Sequence, residues 1–131
     1  MRTHDGQPTA LVAEDHPAYL GRVTALLEEL GLRTVGAVAG AQAIAYLAGG
    51  GTADLLVTDL DMPHENGWAV IDAWLARGRT PETVVMVTGE ADDRTVQERC
   101  AAGGICLIHK AALDARLADA IRNALAGLDG A

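Results

Sequence analysis

Short runs of consecutive apolar residues alternate with segments of helical periodicity along the whole chain. The first run, residues 10–15 (Ala-Leu-Val-Ala-Glu-Asp), predicts a strand. Pro17 then suits the first turn of a helix, where a missing N–H leaves nothing unsatisfied. That helix carries Leu20, Val23, Leu26, Leu27 and Leu30 on one stripe at spacings of three and four, and Gly31 ends it. A second strand is predicted at 33–39, followed by an Ala-rich helix that closes at Gly49-Gly50-Gly51. A third strand, 54–59, breaks through a loop with Pro63 and Asn66-Gly67 into a helix whose Val70, Ile71, Trp74 and Leu75 face inward. The fourth strand spans 83–88, and Asp92-Asp93 open a short helix with acids near its positive end. A fifth strand at about 105–109 precedes a last helix presenting Leu113, Leu117, Ile121, Ala124 and Leu125.

Five strands alternating with five helices predict an α/β fold, an open parallel sheet covered by helices on both faces. Strands one, three and four are continuous apolar runs, the pattern of strands buried on both sides. No repeat, low-complexity tract or linker interrupts this order. The expected organisation is a flexible N-terminal tail at 1–8, one domain at 9–127 and a short tail at 128–131.

Composition narrows the picture. The chain has 131 residues, half of them apolar, which is enough for one domain with a substantial core. With no Phe, two Trp and two Tyr, that core must be built from Leu, Val, Ile and Ala. A net charge of −8 argues against a direct nucleic-acid surface, which needs a basic patch. No apolar stretch approaches the roughly 18 residues of a membrane span, and Met1 to Pro8 lacks the apolar segment of a secretory signal. The spacing of Cys100 and Cys106 fits neither a redox pair nor a zinc site, so both read as ordinary thiols of a cytoplasmic protein.

The candidate chemistry lies where the apolar runs stop. In an open parallel sheet, ligands bind beyond the carboxyl ends of the strands, and right-handed crossovers put those ends on one rim. Here the ends carry Glu14-Asp15, Asp59, Thr88 and Lys110. Taken singly, each has an ordinary explanation: Asp15 as a helix cap, Asp59 and Thr88 as turn formers, Lys110 as a solvated charge. Together they assemble three carboxylates, a hydroxyl and an ammonium. Three close carboxylates repel unless a cation sits among them, and an all-oxygen donor set favours Mg²⁺. A hard cation and an ammonium beside a carboxylate is an arrangement for phosphoryl transfer, with Asp59 as the nucleophile that becomes an aspartyl phosphate.

With Glu14-Asp15, Asp59-Leu-Asp-Met-Pro, Thr88-Gly89 and Lys110 in place, the chain resembles the receiver domain of two-component response regulators over about residues 9–127. The segment 59–67 matches that family's loop in the acceptor Asp, the Met-Pro and the Gly. The resemblance implies a flavodoxin-like five-stranded sheet of order 2-1-3-4-5 flanked by five helices. It implies Mg²⁺ at Asp15, Asp59 and the backbone carbonyl of Asp61, with Glu14 assisting. It also implies phosphate supplied by a sensor histidine kinase or a histidine phosphotransfer protein, and a downstream protein target. Catalysis would be limited to self-catalysed phosphotransfer and autodephosphorylation, so the chain is expected to act as a phosphoacceptor and not as an enzyme. Thr88 and Leu107 occupy the family's switch positions, and Asp61 and Glu90 the positions that modulate dephosphorylation rate.

The pattern is not followed everywhere. Leu107 stands where an aromatic switch residue is usual, Ala111 where a Pro follows the Lys, and Glu65 where an apolar residue is common. His64 reads as a solvated loop residue, and His109 should point away from Lys110 by strand alternation. Trp68, at the start of the third helix, is expected near enough to report on metal binding. Two other readings compete. One is a haloacid-dehalogenase-type phosphatase with Asp59 as nucleophile and Asp61 as acid/base; the other is a receiver-like scaffold that no longer uses phosphate.

Overall fold

The computed structural model describes the backbone of residues 6–130. Residues 1–5 of the expected N-terminal tail, and Ala131, lie outside the described residues. The elements follow the predicted order: β1 (Thr9–Ala13), α1 (Pro17–Glu29), β2 (Arg33–Ala37), α2 (Gly40–Ala48), β3 (Leu55–Thr58), α3 (Gly67–Leu75), β4 (Val84–Thr88), α4 (Arg94–Gly103), β5 (Cys106–His109) and α5 (Leu113–Gly130). All strand pairs are parallel, and the sheet order is β2-β1-β3-β4-β5, the flavodoxin-like arrangement expected. Helix α5 continues to Gly130, past the boundary expected at 127.

Strand alternation divides the core into two layers. Leu11, Ala13, Leu56, Val84 and Met86 pack with residues of α2, α3 and α4. Ala10, Val12, Leu55, Val57, Val85, Val87 and Ile108 pack against α1 and α5 through Val23, Leu27, Leu117 and Ile121. The α3 stripe is buried at Val70, Ile71 and Trp74, with Leu75 only partly so. Trp74 fills the α3 side and satisfies its indole by donating to the Thr83 hydroxyl at 2.9 Å.

Several boundaries differ from the sequence pattern for local reasons. Strand β2 stops at Ala37 because the Val38 N–H turns to the Gln42 side chain at 2.6 Å, beginning the entry to α2. Asp93 caps α4, accepting the Val96 N–H at 3.1 Å, so the acids precede the helix and do not form its first turn. The N-cap position of α1 is held by His16 without a side-chain bond, so Asp15 is not the cap of that helix.

Candidate functional site

Register decides which strand ends meet. Ala13 pairs with Thr58, so the next residues, Glu14 and Asp59, stand side by side on adjacent strands. The main chain holds that level: Glu14 N–H donates to the Ala37 carbonyl at 3.0 Å and Asp59 N–H to the Ala13 carbonyl at 2.9 Å. Val12, Val57 and Ile108 all face α1 and α5, and Glu14, Asp59 and Lys110 each come two residues after one of them. They therefore continue the same face to the rim.

The contacts bear this out. Lys110 Nζ donates to Asp59 Oδ2 at 2.9 Å and reaches Glu14 Oε1 at 3.1 Å. Both acids are almost completely buried, at 3–4% side-chain exposure, whereas the Lys110 side chain keeps 16%. Asp59 Oδ1 accepts the Leu60 N–H at 2.7 Å, and Glu14 Oε2 accepts the His16 N–H at 3.0 Å. Every oxygen of the buried pair thus has a donor, as burial of a carboxylate requires.

Asp15 completes the acidic group: carboxylate oxygens of Glu14, Asp15 and Asp59 lie within 4.8 Å of one another. One ammonium faces three carboxylates, and the imbalance appears in Glu14. Burial first, and the nearby Asp59 charge as well, push its carboxyl from 4.5 up to about 7 against the opposing pull of the His16 N–H and Lys110. Burial pulls Lys110 down, but the Asp59 hydrogen bond and charge, then those of Glu14, outweigh it and leave its pKa raised. The donor set is all oxygen, negatively charged and opens outward through Asp15, which fits a hard divalent cation.

The loop after β3 is held by backbone contact. Gly67 N–H donates to the Leu60 carbonyl at 2.8 Å, and a Cβ on Gly67 would lie 2.3 Å from the Asp59 carbonyl oxygen. Only glycine permits α3 to start that close to the Asp59 backbone. Asn66 caps the helix by accepting the Ala69 N–H at 3.2 Å.

Thr88 ends β4 fully buried, its hydroxyl oxygen accepting the Glu90 N–H at 3.1 Å. It follows the alternation of Val84 and Met86 toward the α4 layer, the same layer in which Leu107 is partly buried. The carboxyl of Asp61 is absent from the acidic group. It stands beside Glu90 instead, and this neighbouring acid raises the Glu90 pKa. His109 accepts the Ala111 N–H on Nδ1 at 3.0 Å and turns Nε2 toward Asp92 at 3.7 Å, away from the Lys110 cluster as alternation predicts. His64 is exposed with a positive φ of 66°. Cys100 is buried and Cys106 exposed, both as free thiols.

Contacts between cations and aromatic rings were not anticipated. Lys110 Nζ lies 4.3 Å from the centroid of the Tyr19 ring, and the Arg99 guanidinium of α4 lies 4.1 Å from that of Trp68. Tyr19 is four residues before Val23 on the inward stripe of α1, so extending that stripe by one turn would have placed it over the rim.

The model of the family described as "Response regulator receiver domain" matches residues 10–122. No curated protein matches the chain. Among solved structures, the signal receiver domain of a signal transduction histidine kinase from Syntrophus aciditrophicus is 29% identical with a TM-score of 0.74, covering 92% of this chain and 91% of that one. A response regulator receiver protein from Sinorhizobium medicae is 26% identical with a TM-score of 0.75, covering 91% and 94%. The signal receiver domain of an HD domain-containing protein from Pseudomonas fluorescens shares the fold at 23% identity and a TM-score of 0.78, covering 95% and 99%. Among the described residues, no helix is long and apolar enough to cross a membrane.

Proposed function

The chain belongs to the response regulator receiver domain family, and on that premise we propose that it is the phosphorylation-switched module of a two-component system, with Asp59 as phosphoacceptor. The observation that carries this reading is the Lys110 ammonium bridging Asp59 and Glu14 at the rim, beside the outward-opening Asp15. A buried carboxylate held by a single ammonium and next to two more acids suits receipt of a phosphoryl group better than it suits a structural ion pair.

Asp15, Asp59 and the Asp61 backbone carbonyl, with Glu14 assisting, would hold Mg²⁺, which supplies positive charge against the phosphoryl oxygens. The remaining work falls to the chain. An oxygen of Asp59 attacks phosphorus of a phosphohistidine on a sensor kinase or phosphotransfer protein. The O–P bond forms as the P–N bond breaks, and the electron pair returns to the imidazole nitrogen, which takes up a proton from solvent. Lys110 shifts a hydrogen bond from the Asp59 carboxylate to a phosphoryl oxygen. Thr88 already accepts from the Glu90 N–H, so its own hydroxyl proton is the donor left for a second phosphoryl oxygen. The Asp61–Glu90 pair flanks this site and sets the path of an attacking water, hence the lifetime of the acyl phosphate. The product acts by altering contacts with a downstream protein in the cytoplasm.

The phosphatase reading needs Asp61 as acid/base at the reacting phosphorus. The match to the receiver family over residues 10–122 favours the receiver instead. Incubation with acetyl phosphate and Mg²⁺, followed by intact-mass measurement, tests the proposal. Wild type should gain the mass of one phosphoryl group and Asp59→Asn none. No gain in wild type, or an equal gain in the variant, would refute it.

A further inference from the structure

We propose that Tyr19 is a positioning residue for Lys110: the face of its ring holds the ammonium at the acceptor carboxylate and covers its outer side. The inference rests on the function proposed above and concerns how the same site keeps its cation in place.

An ammonium has three N–H donors. Two are used by Asp59 at 2.9 Å and Glu14 at 3.1 Å, and the Tyr19 ring lies 4.3 Å away on the remaining side. The negative face of an aromatic ring attracts a cation at this distance, more strongly where water is excluded. It does so without offering an oxygen. Another carboxylate or carbonyl in that place would compete with the incoming phosphoryl group for the same ammonium, and the ring does not. Lys110 can therefore exchange one carboxylate bond for a phosphoryl oxygen while staying anchored.

The ring is itself braced. His16 meets it edge-on, with centroids 5.5 Å apart and planes at 67°, and the backbone N–H of the same His16 holds Glu14 Oε2 at 3.0 Å. One turn at the start of α1 thus positions both Glu14 and the ring that faces Lys110. Tyr19 packs partly buried against the α1–α5 layer. Among the described residues no hydrogen bond engages its hydroxyl, so the π face is the part in use.

The test compares wild type, Tyr19→Phe and Tyr19→Leu in two measurements. Nuclear magnetic resonance of Lys110 should show its terminal methylene and ammonium protons shifted upfield by the ring current. Tyr19→Phe should keep the shift and Tyr19→Leu lose it. The rate of phosphorylation by acetyl phosphate should fall about tenfold in Tyr19→Leu, between what an exposed and a fully desolvated cation–π contact supplies, and recover in Tyr19→Phe. In a Lys110→Ala background the Tyr19→Leu change should add nothing, an outcome that a merely structural role for the ring would not produce. Equal rates in Leu and Phe variants, a Phe variant as slow as Leu, or no ring-current shift in wild type would each overturn the inference. Absence of phosphorylation in wild type, with the ring-current shift intact, would overturn the proposed function instead and remove the role with it.

Discussion

On the proposed function, Glu14 should make cation binding depend on pH in a calculable way. Its carboxyl is raised from 4.5 to about 7, chiefly by burial. The folded protein therefore keeps a proton that the unfolded chain has already released between those two values. Stability contributed by this proton is present below pH 4.5, is lost as pH rises toward about 7, and stays lost above it. The ceiling of that loss is about 3 kcal/mol, from roughly 1.4 kcal/mol per pH unit. A divalent cation reverses the balance, because it binds the ionised form and expels the proton. About nine in ten Glu14 carboxyls are ionised at pH 8 and about one in ten at pH 6, so Mg²⁺ affinity should fall close to tenfold across that interval. Isothermal titration of Mg²⁺ at pH 6, 7 and 8, with Trp fluorescence as a second readout, measures it. Glu14→Gln should bind Mg²⁺ more weakly at pH 8 and lose most of the pH dependence. Its cation-free melting temperature should fall less between pH 5 and 8 than that of wild type. A Mg²⁺ affinity in wild type that is flat from pH 8 to 6, or an unchanged slope in Glu14→Gln, would refute the reasoning.

Three further outcomes follow from the packing. Gly67→Ala drives a Cβ to 2.3 Å from the Asp59 carbonyl oxygen, so it should destabilise the fold by about 2 kcal/mol or more in urea denaturation and reduce the proposed phosphorylation of Asp59. Trp74→Phe removes the 2.9 Å bond to Thr83 and part of the buried α3 side, and should cost about 2–3 kcal/mol in the same assay. Arg99→Ala removes the cation 4.1 Å from the Trp68 ring; stability should drop by about 0.5–1 kcal/mol, with a shift in Trp68 fluorescence resolved in a Trp74→Phe background.

The order of strands and helices was legible because period two and period three-to-four patterns are local consequences of backbone geometry. Thr88, Lys110 and the acids could be singled out because polar residues that end buried strands are conspicuous there. Boundaries were less legible: Val38 continues an apolar run, yet its N–H bonds to Gln42 and leaves the sheet. The competing view of Asp15 as a helix cap was settled only by the backbone, which puts His16 at that position. Tyr19 escaped because a tyrosine in the first turn of an amphipathic helix has an ordinary explanation as core edge.

By itself, the sequence determined the α/β alternation, the parallel open sheet and the set of polar residues stationed at its carboxyl rim. The side to which each of them turns was already implicit in strand parity: Lys110 with Asp59 and Glu14 on the α1 face, Thr88 and His109 toward α4. Tertiary structure decided what parity cannot reach. Register set Glu14 level with Asp59, burial raised the Glu14 carboxyl, Asp61 came to lie beside Glu90, and α1 laid Tyr19 against the ammonium. These are contacts between segments far apart in the chain, and the distances and local dielectric that govern them exist only once the layers have packed.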